Sequence, residues 1–289
     1  MKKEILILKP TIIASLFDKA SLNIKKKILE IDKKNIIAYK YLKENNFINS
    51  IYETNKYRLI EINQKSIYQD FIDKKLEMYN IYSSYIIFLS MHKSKSNIKA
   101  FTVHSTGNYG TLFYGGNNIK GLSIPYPYMM SKILQQLNKL NKKYQMNVNI
   151  NLEITHHGPT ILSIPSFFVE IGSTLEEWKN DKYGKIVAYS ILNSIYNENI
   201  MSSNKEIVVG FGGSHYANLP TKLTINNKYN FGHIFPKYQI SLLKEDIIKE
   251  AFLKSNTKYA YIDKKSLNSS IKKELINKIE SLGFIIINK

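Results

Sequence analysis

From Asn147 to His157 the chain alternates polar and apolar residues, with Val148, Ile150, Leu152 and Ile154 on one side and Asn147, Asn149, Asn151, Glu153, Thr155 and His157 on the other. A period of two is that of a strand with one buried face, so this stretch predicts a half-buried strand. Glu153, Thr155 and His157 then point together, while His156 points with the apolar set unless the strand has ended before it. Gly158-Pro159 ends the pairing, because proline has no N–H to donate and glycine permits a sharp turn. Two histidines and an acid thus arrive at a strand end, and in open α/β sheets ligands bind at the carboxyl ends of strands.

A second strand, Ser166 to Ile171, carries Glu170 inside an otherwise apolar run and feeds Gly172-Ser173-Thr174. Ser173 or Thr174 can cap a helix, with Glu176 or Glu177 three residues on completing a capping box. Those two glutamates are read as helix stabilisers, whereas Glu170 is either paired structurally or part of a site. Further along, Ile207-Val-Val-Gly-Phe-Gly-Gly-Ser-His-Tyr216 delivers His215 past a strand that ends in glycines, and Phe231-Gly-His233 places another histidine after a glycine. Gly210-Phe-Gly-Gly has neither the dinucleotide-binding spacing nor the Gly-Lys-Ser/Thr ending of a phosphate loop. Ile86 to His92 and Phe101 to His104 are two more strands that each end in a histidine.

Strands are also expected at Ile5 to Leu8, Ile207 to Phe211, Ala260 to Asp263 and Phe284 to Ile287. Helical spacing joins Met130, Ile133, Leu134, Leu137, Leu140 and Tyr144, and again Trp178, Val187, Ile191, Leu192 and Ile195. Helices from Lys244 to Lys254 and from Asn268 to Ser281 precede the last two strands. The order predicts an α/β fold with a mixed or mainly parallel sheet between helices. At 289 residues one compact unit and two closely packed lobes are both acceptable, with the motif-bearing core at about 84–240.

The chain has no cysteine, which excludes disulfides, thiolate nucleophiles and cysteine-type zinc sites; any metal falls to His, Asp or Glu. No apolar run reaches the length of a membrane span and no signal peptide is visible, so a cytoplasmic monomer is expected. The net charge of +18 suits a polyanionic partner, although forty lysines against the single Arg58 are also what an AT-rich genome would encode. Among the twenty-one tyrosines, some could stack on unpaired bases.

Five motifs occur together: Val103-His-x-Thr-Gly-Asn108; Glu153-x-Thr-His-His-Gly-Pro-Thr160; Phe168-Val-Glu-Ile-Gly-Ser-Thr174 with Glu177-Trp178; Gly210-Phe-Gly-Gly-x-His-Tyr216; and Gly232-His233 with Pro236-Lys-Tyr238. In this order the chain resembles the D-aminoacyl-tRNA deacylases of the archaeal and plant type. The likeness spans Ser90 to Tyr238, recurs at Tyr261-Ile-Asp-Lys-Lys-Ser266, and is looser over the first eighty or so residues. Where such proteins tend to have Ser-Arg-His, this chain reads Ser90-Met91-His92. The resemblance implies a fold related to the phosphorylases and peptidyl-tRNA hydrolases, and hydrolysis of the ester that joins a D-amino acid to tRNA, which is chiral proofreading of translation.

Such a reaction needs an activated water, a stabilised oxyanion and a proton for the leaving hydroxyl. His157 or His215 could be the general base, with Glu153 or Glu170 orienting it or binding the substrate ammonium and Thr155 beside them. Gly212, Gly213 and Ser214 could offer backbone donors to the oxyanion. His104, Gly158, Tyr216 and His233 complete the expected substrate side. The family is described as zinc-dependent, and His156, His157, His215 and Glu170, with His233, are the candidate ligands. Another hydrolase or phosphorylase of the same architecture, such as a peptidyl-tRNA hydrolase or nucleoside phosphorylase, stays open as an alternative, as does a non-catalytic RNA-binding protein. The last is disfavoured, because buried acids and histidines are costly to keep without use.

Overall fold

The computed structural model describes residues 8–42, 45–94, 97–110, 113–117, 119–198 and 205–288. Fourteen strands are present among them: β1 (Lys9–Ser15), β2 (Ile36–Tyr41), β3 (Ile48–Thr54), β4 (Arg58–Ile62), β5 (Ser83–Lys93), β6 (Ala100–His104), β7 (Gly107–Asn108), β8 (Gly121–Leu122), β9 (Asn149–Leu152), β10 (Ser166–Ser173), β11 (Ile207–Phe211), β12 (Asn230–Phe235), β13 (Tyr259–Ile262) and β14 (Ile285–Ile286). They form an eight-stranded mixed sheet in the order β2-β3-β4-β1-β5-β10-β6-β9, a parallel four-stranded sheet β12-β11-β13-β14, and the small pair β7-β8. The α/β class with mixed and parallel pairing is therefore as the sequence predicts. Except for Leu8, which is exposed and in no strand, the strand expected at Ile5 to Leu8 lies outside the described residues; the first described strand starts at Lys9. Pro10 falls where the β1/β5 register is irregular, a place that loses no ladder donor.

The helices that matter here are α1 (Lys19–Ile31), α2 (Ile72–Glu77), α3 (Pro127–Lys143), α4 (Leu175–Lys179), α5 (Asp181–Tyr196), α6 (Asn218–Ile225), α7 (Glu245–Lys254) and α8 (Ser269–Ser281). Thr174 and Glu177 form the expected capping box at the start of α4. Asn180 then accepts from the backbone of Lys182 and Tyr183, so a second cap starts α5, and Trp178 belongs to α4 rather than to the longer apolar stripe. Among the described residues no helix is long and apolar enough to cross a membrane.

The position of the site follows from register. Parallel pairing puts Phe88, Ser90 and His92 of β5 beside Phe168, Glu170 and Gly172 of β10, and antiparallel pairing puts His104 and Thr102 of β6 beside Phe168 and Glu170. With a side-chain period of two, all of these share one face of the sheet. The alternate residues Ile87, Leu89, Phe101, Val103, Phe167, Val169 and Ile171 line the other face, in one core with apolar residues of α1, α3 and α5. Phe167 and Phe101 are fully buried there, each worth about 1.5–3 kcal/mol over an exposed ring. On the first face, Phe88 and Phe168 stack at 4.7 Å in a smaller core with Ile13, Ile60 and Ile86, and the polar residues begin one pair further along.

Gly172 is the pair partner of His92, and a Cβ built on it would lie 2.7 Å from the His92 ring. Gly172→Ala is expected to force that ring aside at a cost of about 1–3 kcal/mol. Denaturant unfolding checks this: an unchanged midpoint would show that the ring relaxes freely.

Candidate active site

The alternating segment ends as a strand at Leu152; Glu153 makes only an isolated bridge to Tyr216, and His156 another to Thr106. The chain therefore leaves strand geometry at Leu152, five residues before the alternation ends at His157. His156 does not point with the apolar set; it turns toward Glu153, with its Nε2 3.5 Å from Oε2. His157, at φ 42, lies beyond the strand, and its Nδ1 donates to the Gly158 carbonyl at 2.6 Å.

Four of the six histidines, His92, His156, His157 and His215, line a cleft of about 760 Å³ between this segment, the polar end of the sheet face and the loop after β11, and the fully buried His104 stacks on His156. Ring centroids lie 4.2 Å apart for His104 and His156, 4.5 Å for His156 and His157, and 4.9 Å for His156 and His215. Two buried carboxylates bind the group together. Glu153 meets His92 Nδ1 at 3.0 Å and His215 Nε2 at 3.1 Å, while Glu170 meets His92 Nδ1 at 3.5 Å and His104 Nε2 at 3.6 Å. His92 also contacts the Tyr216 hydroxyl through Nε2 at 2.9 Å.

Charge is distributed unevenly among these rings. Burial works against a positive His92, but Glu153 and Glu170 outweigh it and push its pKa up to about 11. Burial would likewise raise both carboxylates, yet hydrogen bonds from His215 and His92 hold Glu153 well below the usual range, and the adjacent His104 and His92 rings do the same for Glu170. His157 goes the other way: burial, and then the neighbouring His104, bring it down to about 4, and burial with His104 and His157 depresses His156. Among the described residues, then, His92 is an imidazolium clamped between two carboxylates, and His156 and His157 are neutral bases.

Three rings share one further feature. His104, His156 and His157 each use Nδ1 on a backbone carbonyl, those of Ser105, Ile154 and Gly158. A neutral ring that donates from Nδ1 presents a lone pair at Nε2, and this arrangement orients histidine for a metal. One ring nitrogen from each lies within 4.8 Å of the others. His104 Nε2 is fully buried with no hydrogen-bond partner; burial works against a positive ring, but Glu170, 3.6 Å away, outweighs it and raises the pKa, so the position favours a positive charge, carried either as a proton on the ring or as a cation bound to it. The donor set fits a three-histidine metal centre.

The other expected residues fall in different places. Thr155 is fully buried and its hydroxyl is committed to Ser105, His233 Nδ1 and the Ile234 N–H. His233 lies inside β12, not at a turn; Nε2 contacts the Ser123 carbonyl at 3.0 Å, so both nitrogens are engaged and the ring is a strut behind the site. Gly232 permits this by clearing Ser255, whose Oγ would lie 2.3 Å from a Cβ. The Gly212 N–H donates to the Phe235 carbonyl and the Gly213 N–H to Ser266 Oγ, both at 2.8 Å, so neither is free for an oxyanion. Ser214 is exposed and bonds to the Tyr216 carbonyl. Gly158 is required by contact: a Cβ there would lie 2.3 Å from the Gly116 nitrogen.

A histidine and an acid of the cleft, His92 and Asp18, stand outside the site residues expected from the sequence. His92 had only its strand-end position to mark it. Asp18 caps α1 through Ser21 and accepts from the Met91 N–H at 2.8 Å and Ser90 Oγ at 3.1 Å; burial pushes its pKa up to about 6. An aspartate before a helix reads as a cap alone, and nothing local reveals that the helix starts at a cleft.

An α/β scaffold that gathers two buried carboxylates and oriented imidazoles at one cleft has the makings of an enzyme active site. The sequence model of the D-aminoacyl-tRNA deacylase family matches residues 79–287. D-aminoacyl-tRNA deacylase of Methanosarcina acetivorans is 38% identical over 97% of this chain and 92% of its own length, and that of Thermococcus kodakarensis 39% identical over 80% and 82%. A crystal structure described as a conserved protein of unknown function superposes with a TM-score of 0.84 at 32% identity, covering 96% of this chain and 94% of that one. The chain belongs to the D-aminoacyl-tRNA deacylase family.

Proposed function

We propose that the chain hydrolyses the ester of D-aminoacyl-tRNA in this cleft, releasing free D-amino acid and tRNA. The observation that carries the mechanism is the Glu153–His215 pair. His215 gives its Nε2–H to Glu153, which leaves Nδ1 as an acceptor on a half-exposed ring in the cleft wall. That nitrogen takes a proton from water as the water oxygen adds to the ester carbonyl, and Glu153 stabilises the imidazolium formed. As the C–O bond to the ribose breaks, His215 returns the proton to the leaving oxygen, so the base is regenerated. His92, fixed between Glu153 and Glu170, keeps both carboxylates ionised and in place. His104, His156 and His157 would hold zinc, which when bound would supply a Lewis acid for the ester carbonyl.

An assay of charged tRNA tests the function: D-Tyr esters should be cleaved, and L-Tyr esters and N-blocked peptidyl-tRNA should not. Equal cleavage of D and L esters would refute chiral selection, and preference for the blocked substrate would make the chain a peptidyl-tRNA hydrolase. The net charge of +18 also predicts a salt-sensitive complex. The slope of log affinity against log salt should be several units and similar for unrelated tRNAs, as binding through the phosphate backbone requires. A slope near zero, measured by titration at several salt concentrations, would exclude docking by lysines.

A further inference from the structure

The catalytic side chains occupy only part of the cleft, and the rest of its wall has a different chemistry. Phe17 is 60% exposed and Tyr114 65% exposed, both facing a cavity rather than a core. Tyr114 is nonetheless fixed: its N–H donates to Asn108 Oδ1 at 3.2 Å, its carbonyl accepts from the Gly158 N–H at 2.8 Å, and its ring meets the His157 ring edge-on at 6.4 Å. The Gly116 backbone against which Gly158 packs belongs to the same loop, so the glycine after the two histidines also seats this tyrosine. Phe17 is held by its N–H on Ser15 Oγ and directly precedes the Asp18 cap. Lys65 and Lys93 line the same cleft, are exposed, and make no ion pair among the described residues; Lys93 directly follows His92. Between them Ser66 is 5% exposed, with a hydroxyl that has no hydrogen-bond partner.

We propose that this outer part of the cleft is the subsite for the single-stranded 3′ end of the substrate, with Tyr114 and Phe17 stacking on terminal bases and Lys65 and Lys93 on the phosphates. The inference rests on the proposed reaction. In an aminoacyl ester only a ribose separates the scissile carbonyl from the terminal base, so the base must lie beside the catalytic rings, where Tyr114 stands. Rings with fixed backbones and open faces accept any base, which suits an end common to all tRNAs. Free ammonium groups act as point charges on phosphate without reading sequence. A cleft of about 760 Å³ has room for a nucleoside together with its aminoacyl group.

The test measures binding of an uncharged single-stranded RNA ending in CCA, then kinetics on D-Tyr-tRNA. Tyr114→Ala and Phe17→Ala should each weaken the oligonucleotide about five- to a hundredfold, the range for loss of one base–aromatic stack. Both should raise KM for charged tRNA more than they lower kcat. Lys65→Ala and Lys93→Ala should each reduce the salt slope of binding by about one unit. Tyr189→Ala, on an exposed ring outside the cleft, should leave affinity unchanged. Unaltered oligonucleotide affinity in both aromatic variants, with circular dichroism showing them folded, would overturn the subsite. Wild-type protein that binds the oligonucleotide through these residues but cleaves no D-ester would instead uphold the subsite and refute the deacylase mechanism.

Discussion

Glu153→Gln is expected to lower kcat on D-Tyr-tRNA by on the order of a hundred- to ten-thousandfold, with little change in tRNA affinity. The amide is the same size, but it no longer stabilises the His215 imidazolium, and it removes one of the two carboxylates that hold His92 charged. Stability should fall as well, with a pH dependence whose sign is fixed. His92 has its folded pKa raised from an ordinary 6.5 to about 11, so its contribution is fully present below 6.5 and is lost as pH rises toward 11. Glu153 is depressed below an ordinary 4.5, so its contribution is present above that value and is lost in acid. The gap in melting temperature between wild type and variant should therefore be widest from about 4.5 to 6.5 and close on either side. Thermal melts across pH and single-turnover hydrolysis decide it: turnover within tenfold of wild type, or a gap that widens in alkali, would remove Glu153 from this role.

Chelation of metal is expected to reduce turnover at least a hundredfold, and added zinc to restore it. Elemental analysis should find one zinc per chain, and His157→Ala should lose that metal and the turnover together while still binding tRNA. The reasons are the three Nδ1–carbonyl hydrogen bonds, which orient the rings, and the closeness of one nitrogen from each, with His104 Nε2 buried and without a hydrogen-bond partner. A fully active preparation that contains no metal would contradict the centre and leave His215 and Glu153 to act alone.

Much of this site could be read from strand periodicity, and its failures are those of a local signal. Alternation identified Glu153, and an acid inside an apolar run identified Glu170, because a charged group among Phe and Val conflicts with burial unless it has partners. Periodicity could not tell which nitrogen each ring would use. Nor could spacing show that His104 stacks on His156, since a contact between residues 104 and 156 is set by the pairing of β6 with β10 and β9. The glycines at 212 and 213 were expected to bare their N–H groups, but Phe235 and Ser266, both distant in sequence, accept them. In the first eighty residues β2 was hidden by its exposed edge position, where burial imposes no alternation. β12 was missed for a different reason: Gly232, the glycine before His233, is a strand residue whose missing Cβ admits Ser255.

β10 carries Glu170 toward the cleft and, on alternate residues, Phe167, Val169 and Ile171 toward the helices. One inserted or deleted residue in that strand would exchange the two sets, sending a carboxylate into the main core and phenylalanine into the cleft. Changes of length in the cleft wall therefore fall to the loops that carry Phe17, Tyr114 and His215, because a register shift in the strand exchanges its two faces. Selection on stability alone would preserve its length, even in a descendant that had abandoned the chemistry.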